Sequence, residues 1–124
     1  MKLLLDTHIL LWWLADSSDL ADDMKQRVDT ESEVFVSAAT VWEIAFKQAL
    51  GKLKVPDDYL AVVKQSGLLE LSIDFEHSRK TGALPLIHSD PFDRMLVAQA
   101  QCEGLVLVTR DPNVLKYDVE SLSA

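Results

Sequence analysis

Disulfides are the first thing this chain cannot have. Its one cysteine, Cys102, has no partner for an internal bridge, which suits a reducing, cytoplasmic compartment, and its place in a helical pattern makes a packed thiol the expected role. Cationic surface is also short: 12 Lys and Arg face 20 Asp and Glu, a net charge of −8, which argues against nonspecific nucleic-acid binding through a basic face. An enzyme that holds divalent cations in a carboxylate cluster offsets part of that charge. No apolar run approaches the roughly 20 residues of a membrane-spanning helix. Asp6 and His8 interrupt the stretch after Lys2 that would otherwise imitate a signal peptide. No internal repeat, low-complexity segment or linker divides the 124 residues, which fit one domain, 1–124, large enough to bury a core without disulfides or a structural metal. The three histidines, His8, His77 and His88, show no metal-ligand spacing, and structural or surface roles are expected for them.

What is present is an alternation of strand and helix signals. Leu3-Leu4-Leu5 runs straight into Asp6, and Leu105-Val106-Leu107-Val108 is followed by Thr109-Arg110-Asp111. Continuous apolar runs of this kind mark central strands of a parallel α/β sheet, and ligands collect beyond the carboxyl ends of such strands. Val34-Phe35-Val36 centres a strand over Glu33 to Ala38, Leu68 to Ile73 reads as a short strand, and an edge strand falls near Val119 to Leu122. Helices are expected from Thr7 or His8 to about Ala15, Asp19 to about Thr30, Thr40 to Leu50 ended by Gly51, Pro56 to Ser66, and Asp74 to about Thr81. A loop spans Gly82 to Ser89. Asp90-Pro91 opens a strong helix to Glu103, closed by Gly104, and Pro112 starts a helical turn to Lys116. The pattern gives an α/β class, with a central, mainly parallel sheet flanked by helices.

Four acids matter because of where these elements place them. Asp6 ends the first strand, Glu43 and Asp93 fall in first turns of helices, and Asp111 follows the strand at Leu105. Plain roles exist for three of them. Thr40-Val41-Trp42-Glu43 matches a capping box, Asp90 before Pro91 is an N-cap that leaves Asp93 at N3 beside the helix dipole, and Asp111 before Pro112 suits a cap. For Asp6 a plain role is weaker, because a carboxylate directly after a buried strand needs a partner. If all four converge they repel one another and raise their own pKa values unless a divalent cation intervenes. Hard oxygen ligands with no His or Cys cluster suit Mg²⁺ or Mn²⁺, which activates water and stabilises charge on a phosphodiester. Thr7 and Thr109 are candidate hydroxyl donors to the acids. Arg94, Arg110 and Thr109 are candidates for contact with substrate, the arginines as receivers of phosphate or as solvated charge. Lys47, Lys52 and Lys54 read as a solvated helix end.

Leu3-Leu4-Leu5-Asp6-Thr7, Ser37-Ala38-Ala39-Thr40-Val41-Trp42-Glu43, His88-Ser89-Asp90-Pro91-Phe92-Asp93-Arg94-Met95-Leu96-Val97-Ala98-Gln99-Ala100 and Val108-Thr109-Arg110-Asp111 resemble, in order and spacing, the successive motifs of PIN-domain ribonucleases. Within that family they are most similar to the VapC type of toxin from bacterial toxin-antitoxin pairs. The resemblance covers nearly the whole chain. It implies a PIN-like fold and a metal-dependent endoribonuclease in which water attacks an RNA phosphodiester. It carries Asp6, Glu43, Asp93 and Asp111 over as the acidic, metal-holding site, with Asp6 and Asp93 closest to the metal and Asp90 either capping its helix or joining the cluster. It also implies a homodimer and a cognate antitoxin that blocks the site, with Trp12, Trp13 or Trp42 contributing surface.

Two other classes compete. A receiver-like phosphoacceptor domain shares the length, acidity and parallel sheet, but Val34-Phe35-Val36 leads to Ser37 and Ala38 rather than to the aspartate such domains need. A non-catalytic interaction module would keep the fold and use the tryptophans alone.

Overall fold

Three consecutive leucines make β1 (Lys2–Leu5) the strand that holds two cores together. All three are fully buried, and the twofold alternation of a strand sends them to opposite faces. Leu3 and Leu5 enter one core with Ile9, Leu10, Met24 and Val28, whereas Leu4 enters the other with Leu107, Leu96 and Val97. Burying a leucine side chain contributes about 1.5–3 kcal/mol, so β1 alone anchors both layers.

The computed structural model describes all 124 residues. After β1 come α1 (Thr7–Leu14), α2 (Asp22–Thr30), β2 (Glu33–Ser37), α3 (Ala38–Ala49), α4 (Tyr59–Gln65), β3 (Leu69–Leu71), α5 (Phe75–Ala83), α6 (Pro91–Glu103), β4 (Val106–Thr109), a 3₁₀ turn (Val114–Lys116) and β5 (Ser121–Ser123). The sheet order is β3-β2-β1-β4-β5, and every neighbouring pair is parallel. The expected mainly parallel sheet is therefore wholly parallel. Leu3 to Leu5 register against Val106 to Val108, which brings Asp6 and Thr109 to one edge. Because the chain leaves β1 toward β2 and returns on its other side as β4, the switch point of the sheet lies between β1 and β4, where such folds bind ligands.

Helix α6 starts and stops where its sequence says. Asp90 caps it, Pro91 occupies the first position, and Gly104 ends it at φ 66°, a left-handed conformation that costs glycine little. Other boundaries move. Helix α3 begins at Ala38 because Ser37, not Thr40, is its cap and accepts a hydrogen bond from Ala39 N. Helix α4 begins at Tyr59, three residues after Pro56, whose carbonyl closes a turn with Tyr59 N. Helix α2 starts at Asp22, after a turn in which Asp16 takes φ 48°, and α5 continues through Gly82 to Ala83. Cys102 faces solvent rather than packing, because the last turn of α6 presents that side outward. No helix is long and apolar enough to cross a membrane.

Candidate active site

Two helices and one strand bring the site together. Ser37, at the end of β2, donates to Gln99 Oε1 at 2.5 Å while accepting from Ala39 N, so one buried hydroxyl starts α3 and ties it to α6. Gln99 also donates to the Ser72 carbonyl. Each of the helices so joined carries one of the acids.

Asp6 is buried at the carboxyl end of β1. Its backbone N bonds to Val108 O at 2.9 Å, and its Oδ2 accepts from the Thr109 hydroxyl at 2.6 Å. It occupies the N-cap position of α1 but makes no side-chain cap bond, which leaves the carboxylate to the crevice. Glu43 is buried as well, in the second turn of α3 rather than the first. The capping-box role is excluded by the start at Ala38: Oε1 accepts from the Thr7 hydroxyl at 2.8 Å and Oε2 from the Lys47 ammonium at 2.5 Å. Since Thr7 gives its hydrogen to Glu43, the Thr40 hydroxyl 3.1 Å away is the donor to Thr7. Asp93 stands at N3 of α6, with His88 Nε2 2.9 Å from its Oδ2. Asp90 Oδ1 accepts from Phe92 N and Asp93 N, so Asp90 does cap the helix while its charge still acts on Asp93.

The electrostatics follow from this crowding. Burial pushes the Asp6 carboxyl above its ordinary value, partly opposed by the Thr109 hydrogen bond, while the charge of Glu43 raises it further. Asp93 is pushed up to about 7, first by burial and then by Asp6, Asp90 and Glu43. The bond to Glu43 raises Lys47, and the charges of Asp90 and Asp93 add to it. One ammonium thus faces several carboxylates. The oxygens of this cluster are the hard donor set a divalent cation takes, and His88, Asp90 and Asp93 bring ligand atoms within 4.8 Å of one another.

The remaining expected residues fall differently. Asp111 accepts from Asn113 N through Oδ1 at 2.9 Å, and its own N bonds to Thr109 Oγ1 at 3.1 Å. It is therefore joined to Asp6 through one threonine hydroxyl while it caps the turn. Thr109 is fully buried, which favours its expected role as hydroxyl donor to Asp6 over the expected substrate contact. Arg94 turns inward: Nη1 meets the carbonyls of Pro85 and His88 and the Tyr117 hydroxyl, and Nη2 meets the carbonyls of Thr81 and Leu84. That geometry favours holding the segment before α6 over the expected phosphate contact. Arg110 stacks on Trp12, 4.5 Å from the ring centre, and bonds to the carbonyls of Asp19 and Ala124. Trp12 and Trp13 are partly buried, and Trp42 is exposed.

Sequence reasoning missed His88 and Lys47. The i,i+4 spacing of Glu43 and Lys47 was a usable signal. His88 had none, because its partner is fixed only by the loop that precedes α6.

Three comparisons fit this geometry. Ribonuclease VapC22 from Mycobacterium tuberculosis is 29% identical, over 87% of this chain and 85% of the relative. The structure of a DNA-bound VapBC from Salmonella typhimurium aligns with a TM-score of 0.73 at 22% identity, covering 99% of this chain and 98% of that one. VapBC2 from Rickettsia felis, bound to a promoter DNA fragment, gives the same score and coverage at 14% identity. With residues 3–120 matching the PIN domain profile, and the acids of its four motifs standing at one edge of a parallel sheet, this chain belongs to the PIN domain family.

Proposed function

We propose that this protein is a metal-dependent endoribonuclease, the toxin of a toxin-antitoxin pair. The observation that carries the reading is the convergence of Asp6, Glu43 and Asp93 from three separate elements, with the Asp93 carboxyl pushed up to about 7 by burial and by its acidic neighbours. The relative named Ribonuclease VapC22 supports the activity, and neighbours described as VapBC complexes support an antitoxin as partner. Membership of the PIN domain family leaves the receiver-like alternative without support.

Asp6, Glu43 and Asp93, with Asp111 beside them, would hold Mg²⁺ or Mn²⁺. A cation of this kind supplies a Lewis acid that activates water and offsets charge on the phosphodiester. The chain's own residues prepare for it. The hydroxyls of Thr109 and Thr7 fix the acceptor faces of Asp6 and Glu43, so neither acid rotates away. At neutral pH Asp93 is poised between its protonated and ionised forms. Across its 2.9 Å contact, His88 Nε2 donates to the ionised form and accepts from the protonated one. Lys47 Nζ neutralises Glu43. The reading extends to a homodimer working in the cytoplasm, its site closed by the antitoxin.

The test is cleavage of single-stranded RNA with Mg²⁺ or Mn²⁺ by the wild type, by Asp6→Asn and by Asp93→Asn. Metal-dependent cleavage lost in both variants supports the reading, and undiminished cleavage in both would sink it.

A further inference from the structure

Trp42 and Phe46 lie one turn apart on the same side of α3 and leave 58% and 51% of their surfaces exposed. Phe92, in the first turn of α6, stands against both. Its ring centre is 4.9 Å from that of Trp42, edge to face at 80°, and 6.3 Å from that of Phe46 at 42°. The three rings make one ledge across the seam between the two helices. Trp42 is covalently adjacent to Glu43, and Phe92 to Asp93, so the ledge borders the acids by construction.

The cations beside these acids are already engaged. Lys47 is held by Glu43, Arg94 by backbone carbonyls and Tyr117, and Arg110 by Trp12 and two carbonyls. The chain carries eight more negative than positive charges. A strand of RNA arriving at the acids therefore meets aromatic faces rather than free ammonium or guanidinium groups. Single-stranded RNA offers unstacked bases, and base stacking on aromatic side chains holds a strand with little regard to sequence.

We propose that Trp42, braced by Phe92 and Phe46, is a base-stacking platform that positions single-stranded RNA beside the carboxylate site. Trp42 is a positioning residue here. The inference rests on the ribonuclease reading.

The test begins with Asp93→Asn protein in Mg²⁺, used so that RNA is not cleaved, titrated with a mixed-sequence single-stranded RNA 10-mer and with an abasic ribose-phosphate 10-mer. The RNA is expected to quench tryptophan emission, and the abasic strand to leave it unchanged and to bind more weakly. Adding Trp42→Phe should remove the quench yet keep the affinity, whereas Trp42→Ala should weaken binding about tenfold. In the cleaving background, Trp42→Ala should raise KM about tenfold with kcat within about twofold, and Trp42→Phe should restore KM. Equal binding of the abasic strand overturns the proposal, as does an unchanged KM in Trp42→Ala. A Trp42→Ala protein that loses self-association or antitoxin binding while its RNA KM is unchanged assigns the ledge to a protein interface instead. In each of those cases the wild type still cleaves RNA. If the wild type cleaves none, the ribonuclease reading fails and this inference falls with it.

Discussion

Two clusters in this molecule look alike by composition and behave in opposite ways. Asp74, His77 and Glu103 bring ligand atoms as close together as His88, Asp90 and Asp93 do. In the first cluster every group has a complement. Asp74 and His77 form a reciprocal cap, each side chain taking the other's backbone N–H, and His77 Nε2 faces Glu103 at 3.3 Å while Gln99 approaches Nδ1. In the second, Asp93 faces Asp6, Asp90 and Glu43, and those charges add to burial in raising it. Proximity of oxygens and nitrogens is common to both. Uncompensated like charge belongs to one, and that creates the demand for a cation.

The sharpest way to break this comparison is catalytic. Asp6→Asn and Asp93→Asn should each lower RNA cleavage by on the order of 10²–10³-fold, while Asp74→Ala leaves kcat/KM within about twofold. Equal losses at both clusters would erase the distinction. Next comes stability. His77→Ala empties a fully buried position and strips Gln99, Glu103 and Asp74 N of a partner, for a loss of about 2–3 kcal/mol, read as a Tm lower by roughly 8–12 °C with Mg²⁺ affinity unchanged. Asp93→Asn should do the reverse, raising the Tm of metal-free protein at pH 8 by roughly 3–5 °C and abolishing its further rise with Mg²⁺.

The pH dependence sharpens the point. Folding lifts Asp93 from an ordinary 3.8 to about 7, so the folded state keeps a proton that the unfolded chain releases. The stability this contributes is full below pH 3.8 and is lost as pH climbs through about 7. Metal-free wild type should therefore lose Tm between about pH 4 and pH 7 relative to Asp93→Asn, and Mg²⁺ should bind more tightly as pH rises over the same interval. A parallel pH response in the two proteins would contradict the assigned cause. The smallest effect is at the cap: Asp74→Ala should cost about 1 kcal/mol, visible in urea denaturation and silent in metal titration.

Much of this was legible in the chain. The run Leu3-Leu4-Leu5-Asp6 announces a strand buried on both faces with an acid at its end, and Asp90-Pro91 with Gly104 brackets α6 almost to the residue. What was illegible depends on distance along the sequence. Thr7 and Glu43 are separated by 36 positions and Thr109 and Asp6 by 103, so local patterns left Glu43 open between the acidic site and a helix cap, and Thr109 between a donor to the acids and a substrate contact. Arg94 was misleading for the same reason. An arginine beside an acid looks solvated or phosphate-seeking until the loop at Thr81 to His88 folds over it. Ser37 as the true cap of α3 was visible in principle, since serine before a helical run is a strong start signal, but Thr40 offered the more familiar pattern.

Arg94 also bears on how the molecule breathes. Its guanidinium ties the carbonyls of Thr81, Leu84, Pro85 and His88 and the Tyr117 hydroxyl to the start of α6. Lifting that segment alone would strand a guanidinium and several carbonyls at once, so local fraying there is suppressed. The stretch that carries His88 should open only together with the first turn of α6, and its amides should exchange with solvent deuterium at the slow pace of the helix instead of the fast pace of a surface loop.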